Sequence, residues 1–175
     1  MKILKIVIGF LSLLLIIFVL LGFIVPRVSY SSEVTVDKPA SEAWSVMSDE
    51  GKLSQWLMGY KRSELISGTP NTVGSVSNIY IDNQGQETVL KETVTELVPN
   101  KVMAMDFSMD PMDMDYRMTF EEQDNKTVIK SNTNVSGNGW FMRSMMALMK
   151  GGMKSQEDIN MGQLQKLINE NQDVY

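Results

Sequence analysis

The side chains in this chain that could do chemistry are carboxylates, tyrosines and methionine thioethers, because the sequence has neither histidine nor cysteine. The lack of cysteine excludes disulfides, thiolate nucleophiles and thiolate metal sites. The lack of histidine removes the residue most often used for proton transfer near neutral pH and the commonest transition-metal ligand. Any enzyme built from this chain must work with carboxylates, Lys, Tyr, Ser or Thr, and we expect no cofactor.

Glu92 is the best candidate for acid–base chemistry. It shares strand parity with Leu90 and Val94, which predicts that its side chain points inward. A buried carboxyl group with a raised pKa can act as a general acid or base, and Tyr80 or Tyr116 could supply a hydroxyl group. A buried glutamate is also commonly a structural carboxylate paired with Arg or Lys, and no nucleophile–base pair is recognisable. The residues therefore favour binding over catalysis, and the enzymatic alternative stays open.

The 15 methionines are concentrated in two segments. Within residues 101–122, methionine and aromatic side chains alternate with polar ones on both sides of Asp110-Pro111. This period of two predicts an antiparallel hairpin with an apolar inner face and an acidic outer face. In the C-terminal segment, four methionines fall on one helical stripe that could face the hairpin. They are Met142, Met146, Met149 and Met153.

Two functional interpretations of the methionines compete with a plain apolar core. Spacings such as Met103-x-Met105 resemble thioether motifs that bind Cu(I), but strand and helix periodicity explains the same positions without a metal. Methionine is flexible and polarizable, so it suits a surface that fits variable apolar partners. We therefore expect a ligand pocket and no metal site. The expected pocket residues are Met105, Phe107, Met114, Tyr116, Met118, Met146, Met149 and Tyr80.

Acidic side chains determine which partners are excluded. Asp106, Asp110, Asp113 and Asp115 lack the spacing of a calcium-binding loop, so a solvated outer strand face is the expected role. The chain has a net charge of −5, and without Lys2 and Lys5 it carries 14 basic and 21 acidic residues. This balance argues against nucleic acid as a partner and against electrostatic docking on anionic lipid.

The N-terminal segment predicts a membrane anchor. Ile6 to Val25 contains no charged residue, and 20 helical residues span roughly the 30 Å of a bilayer core. We expect residues 1–26 to anchor the chain through contacts of 6–25 with the bilayer. Lys2 and Lys5 precede this segment, which predicts a single-pass protein with a cytoplasmic N-terminus and an extracytoplasmic domain. A cleaved signal peptide is the alternative, although Ser29-Tyr30-Ser31 is a poor cleavage site.

The remaining chain predicts one α+β domain over residues 34–171, joined to the anchor by a polar linker over 27–33. A first strand is expected at Glu33–Val36, followed by two short helices that begin near Pro39 and Asp49. Six strands and a helix over 139–171, interrupted at Gly151-Gly152, complete the pattern. The six strands are expected at 60–67, 74–82, 86–98, 101–109, 112–122 and 126–136.

The apolar start of the last helix, from Trp140 to Met149, has three open interpretations. It could be the part of the helix that is buried against the sheet. It could be a lid over a pocket, with Gly151-Gly152 as its hinge. It could also lie on the bilayer, because aromatic and basic side chains together suit the membrane interface.

The order of elements, with certain local sequences, resembles a known superfamily. The local sequences are Pro39-Ala40-Ser41-Glu42-Ala43-Trp44, Gly68-Thr69-Pro70, Val73-Gly74-Ser75 and Glu92-Thr93-Val94-Thr95-Glu96-Leu97-Val98-Pro99. The chain is similar to the START-like (SRPBCC) superfamily, in particular its polyketide cyclase/dehydrase and lipid-transport branch. The resemblance implies a helix-grip fold, in which a curved antiparallel sheet surrounds a long C-terminal helix and a hydrophobic cavity lies between them.

The expected function is a membrane-anchored domain that binds a hydrophobic small molecule or lipid in that cavity. One alternative is a cyclase- or dehydratase-like enzyme that uses an inward carboxylate or tyrosine. Another is an interaction module whose cavity is filled by its own side chains, because members of the superfamily share a fold but not one chemistry.

Overall fold

The computed structural model describes residues 2–83 and 85–171 as an N-terminal helix followed by an α+β domain. The helices are α1 (Lys2–Ile24), α2 (Ala40–Met47), α3 (Leu53–Trp56) and α4 (Gly139–Glu170), with a 3₁₀ turn at Glu50–Lys52. The strands are β1 (Arg27–Val36), β2 (Tyr60–Ser67), β3 (Val76–Asn83), β4 (Gln86–Val98), β5 (Val102–Met109), β6 (Met112–Gln123) and β7 (Lys126–Gly137).

All seven strands form one antiparallel sheet in the order β1-β7-β6-β5-β4-β3-β2. Short turns make the successive pairings possible. Asn100, Asp124 and Asn125 adopt positive φ angles of 64°, 52° and 61°, a region that Asn and Asp tolerate better than most residues. The long helix α4 packs on the inner face against β1 and β7. The predicted α+β helix-grip fold is therefore confirmed.

β1 is longer than expected. Residues 27–33, predicted as a polar linker, form the first seven residues of β1, which pairs with β7 from Arg27↔Ser136 to Val36↔Thr127. Ser29, Ser31 and Glu33 lie on the outer, exposed face. Ser32 on the inner face is also polar, so this part of the strand lacks a clear alternation of apolar and polar side chains. The helix α1 is thus followed directly by the sheet.

Two apolar clusters fill the space between α4 and the sheet. One lies at the end of β1 that contains Val36, with Met118, Ile129 and Leu164 among its fully buried members. The other contains Val28, Val135 and Met146. In the register of β1 and β7, the pairs Tyr30↔Thr133 and Ser32↔Ser131 lie between the two clusters. The inner face therefore has a polar band at its middle.

α4 continues through Gly151 and Gly152, so the predicted interruption of this helix is wrong. Glycine costs roughly 1 kcal/mol relative to alanine inside a helix, but packing of the neighbouring turns outweighs that preference. A Cβ atom added at either glycine would meet nothing within 4 Å. Close packing therefore does not explain why these two positions are glycine.

The C-terminal end of α1 docks on the start of α4. A Cβ atom on Gly22 would lie 2.0 Å from the carbonyl oxygen of Trp140, so only glycine fits there. The Ser144 hydroxyl donates to the carbonyl oxygen of Phe18, and the Phe18 ring packs edge-on against Trp140 and Phe141. The rest of α1 is exposed. Its 23 residues have a mean hydropathy of 3.1, which fits a membrane span and equally a signal sequence.

Candidate functional site

A cavity of about 380 Å³ lies between the inner face of the sheet, α3 and α4. Its wall is mainly methionine, aromatic and aliphatic side chains from β3–β6 and both helices. Exposed Ser48 and Asn71 belong to the lining, so the cavity reaches the surface near α2 and the β2–β3 loop. The Asn160 amide oxygen accepts a hydrogen bond from the Met58 N–H at 3.2 Å, which ties α4 to the segment after α3.

Five of the eight predicted pocket residues line this cavity. They are Met105, Phe107, Met114, Tyr116 and Met118. Met105 is opposite Tyr116 and Phe107 is opposite Met114, so these four side chains share the inner face of β5 and β6. The alternating Asp106, Asp113 and Asp115 are exposed, as the strand period requires.

The other three predicted pocket residues lie elsewhere. Met146 is buried beside Val28 and Val135, outside the cavity lining. Met149 is 55% exposed and lies about 60° round the helix axis from Met146. Tyr80 follows the cavity-lining Ile79 on β3, so it points to the outer face.

On the outer face, Tyr80 takes part in a surface cluster. Its hydroxyl donates to the Glu64 carboxylate at 2.8 Å, and the guanidinium carbon of Arg62 lies 3.5 Å from the centre of its ring. Arg62 also contacts the Glu87 carboxylate at 3.1 Å. Tyr80 therefore belongs to the outer surface of the sheet and does not line the cavity.

A polar cluster occupies the middle of the cavity wall. The Tyr116 hydroxyl donates to Oε1 of Glu157 on α4 at 3.1 Å. Burial, with the nearby Glu157 charge, raises the pKa of Tyr116 well above its usual range. Burial and the nearby Glu157 charge also raise the pKa of Tyr30 to about 12. Both phenols are therefore neutral at physiological pH and act as hydrogen-bonding groups.

Glu92 lines the cavity from β4, next to Phe107, as its strand parity predicts. Burial, and to a lesser degree the charge of Glu50, raises the pKa of Glu92 from 4.5 to about 7. Within residues 2–83 and 85–171, Glu92 makes no hydrogen bond or ion pair. It is therefore an unpaired carboxyl group poised to exchange a proton near neutral pH.

Sequence analysis missed several polar residues of this site. Tyr30 was assigned to the linker, although it shares parity with Val28 and Ser32. Glu157 follows Met153 by four residues, so it lies on the apolar stripe of α4. A charged residue on an apolar helical stripe is unusual, and this signal could have identified Glu157 as a site residue. Trp56 and Thr133 also line the cavity.

The described residues contain no group of three or more carboxylates that could hold a metal ion. What the cavity offers is a methionine-rich apolar wall, two carboxyl groups and several hydroxyl groups. Such a surface can bury a hydrocarbon and hydrogen-bond a polar end. Glu92 is the only group of the lining with a pKa raised to about 7 among the described residues.

Solved structures share this fold at low sequence identity. Protein MLL2253 from Mesorhizobium loti has a TM-score of 0.63 and 18% identity, over 83% of this chain and 99% of its own. Protein CV1439 from Chromobacterium violaceum has a TM-score of 0.61 and 15% identity, over 82% and 98% of the two chains. The di-domain ARO/CYC BexL from the BE-7585A biosynthetic pathway has a TM-score of 0.65 and 13% identity, over 83% and 51%.

At these identities the likeness concerns the fold, and this chain spans about half the length of BexL. A comparison with curated proteins gave no match. The family model described as polyketide cyclase/dehydrase and lipid transport matches residues 27–168, from the start of β1 to near the end of α4. That range includes the whole sheet and every cavity-lining residue. The chain therefore belongs to the polyketide cyclase/dehydrase and lipid transport family.

Proposed function

We propose that this protein is a membrane-tethered domain that binds a hydrophobic small molecule or lipid in the cavity between the sheet and α4. The observation that carries the proposal is the cavity of about 380 Å³ with a methionine-rich wall. Its volume lies in the range of roughly 300–1,000 Å³ that is usual for small-molecule sites. Each methylene group buried there would contribute about 0.8 kcal/mol to affinity.

The methionines support binding over a purely structural core. Met103, Met105, Met114 and Met153 line the cavity, and all four side chains are only partly buried. Flexible thioether side chains adapt to ligands of different shape. A core that only stabilised the fold would be better served by Leu, Ile and Val, which have fewer rotamers.

Tethering by α1 would place this cavity where apolar ligands reside. We propose residues 1–26 as a membrane anchor and residues 27–171 as the binding domain. Lys2 and Lys5 before the apolar segment favour a cytoplasmic N-terminus, with the domain outside. The docking of Gly22 against Trp140 supports the tether, because it brings the anchor next to the helix that closes the cavity.

Binding of a fluorescent probe to the full chain in detergent tests the proposal, and the probe is a fatty-acyl ester or an isoprenoid alcohol that carries no anionic group. We expect saturable binding with about one probe per chain. Met153→Trp, inside the cavity, should weaken binding at least about tenfold. Met149→Trp is the matched control on the same helix, and it should bind like the parent because Met149 is exposed. No saturable binding would refute the proposal and favour the interaction module.

The second candidate is an acid–base enzyme of the cyclase or dehydratase kind, favoured by the raised pKa of Glu92 inside the cavity. The small molecules that co-purify with the wild type and with Glu92→Gln distinguish the two functions. An enzyme would retain unreacted substrate in the variant, so the two proteins would yield different molecules, which differ in mass after a dehydration and in chromatographic retention after a cyclisation that conserves mass. A binding protein would yield the same molecule from both.

A further inference from the structure

We infer that the cavity selects amphiphiles whose polar end donates hydrogen bonds, a hydroxyl or an amine, and rejects those that end in a carboxylate or phosphate. This inference rests on the proposed function and narrows its ligand class. The charged side chains in the lining are Glu92 and Glu157, and no described Lys or Arg contributes to it. An amphiphile that enters therefore meets two carboxyl groups and no cationic side chain that could pair with an anionic head group.

Glu157 is the centre of this recognition. It lies on α4 opposite the polar band of the sheet, and its Oε1 accepts a hydrogen bond from Tyr116 at 3.1 Å. Within the described residues it has no cationic partner and no second hydrogen bond. A carboxylate has about four acceptor positions, so Glu157 keeps unused acceptor capacity towards the cavity.

The same arrangement disfavours an anionic head group. Bound carboxylates and phosphates are usually paired with Arg or Lys, which supply charge and several donors. Here the Tyr116 hydroxyl already donates its proton in a hydrogen bond to Glu157, so it is not free to donate to an anionic head group. A second carboxylate beside Glu157 would add a like charge in a poorly solvated space, where repulsion is stronger than in water.

Trp56 supplies a separate reason to expect a polar atom in the ligand. This cavity-lining residue is 6% exposed, and its indole N–H has no acceptor among the described residues. A buried donor without a partner is costly. A hydroxyl oxygen can accept from an indole and donate to a carboxylate, whereas a pure hydrocarbon can do neither.

Three ligands with one alkyl chain test the inference on the full chain in detergent: dodecanol, dodecylamine and dodecanoate. Each ligand is tested for displacement of the fluorescent probe at about pH 8.5, where the acid is ionised. Micelles without protein serve as the correction for partition of ligand and probe into detergent. We expect dodecanol and dodecylamine to compete at least about tenfold better than dodecanoate. In Glu157→Gln this difference should shrink at least about threefold, whereas Glu170→Gln, exposed on the same helix, should leave it unchanged.

Each outcome decides a different question. If the probe does not bind, the proposed function fails. If the probe binds and none of the three ligands displaces it, the inference is overturned. If dodecanoate competes as well as dodecanol, the inference is overturned while the binding function stands. An unchanged difference in folded Glu157→Gln would overturn the role of Glu157. The wild-type comparison decides the selectivity even if that variant does not fold.

Discussion

Among single residues, Glu92 has the clearest consequence for stability. Its pKa in the folded protein is about 7, above its ordinary value of 4.5. Between these values the folded state holds a proton that the unfolded state has lost, so this group's contribution to stability falls as pH rises. We expect denaturant unfolding to show that Glu92→Gln lacks this decline between about pH 4.5 and 7. Wild-type and variant curves that stay parallel would contradict the raised pKa.

The register of the β5–β6 hairpin predicts how substitutions on its two faces change the free energy of unfolding. Met118 is fully buried beside the cavity, and the neighbouring strand carries exposed Asp106. Met118→Asp would bury an unpaired charge and should lower the free energy of unfolding by about 3 kcal/mol or more. Asp106→Ser should change it by no more than about 0.5 kcal/mol. Equal tolerance at both positions would show that the two strand faces are misassigned.

Among the elements, α4 is continuous where its sequence suggests a break. Gly151 and Gly152 are helical with open space around them, so alanine would add helix propensity without a clash. Thermal unfolding of Gly151→Ala should show stabilisation of about 0.5–1 kcal/mol. Gly22→Ala is the contrasting control, because its Cβ atom would overlap the Trp140 carbonyl. A destabilised Gly151→Ala variant would mean that α4 is not helical at this position.

The contact between α1 and α4 gives a second test at this scale. Ser144 is fully buried between the helices, and the chain has no cysteine of its own. Ser144→Cys should therefore react slowly with a maleimide. Adding Gly22→Leu should force α1 away from α4 and make the thiol react faster. Equal rates in the single and double variants would refute the docked arrangement.

Most elements could be predicted from the sequence, because alternation and turn residues are local signals. The hairpin at Asp110-Pro111 and the helix starts near Pro39 and Asp49 are examples. The extension of β1 over residues 27–33 was missed, since its pairing with β7 joins segments about a hundred residues apart. The site was predicted only for the hairpin and for Glu92. Its partners Tyr30 and Glu157 come together with Tyr116 only through the fold.

For the whole molecule, the orientation of the domain can be measured with the same cysteine-free background. We expect an impermeant maleimide to label exposed Ser54→Cys on intact cells or spheroplasts. Lys2→Cys should be labelled only after the membrane is permeabilised, because the positive residues before α1 favour the cytoplasmic side. The reverse pattern would invert the proposed topology. Loss of residues before β1 from the mature chain would identify α1 as a signal sequence instead.

Native mass spectrometry of the full chain extracted in mild detergent tests the binding function most directly. We predict one hydrophobic molecule bound per chain, because the cavity of about 380 Å³ has room for a single small ligand. The Met153→Trp variant should lack this adduct, and Met149→Trp should retain it. An unliganded wild-type chain that also takes up no added amphiphile would contradict the account. So would an adduct that persists unchanged in Met153→Trp.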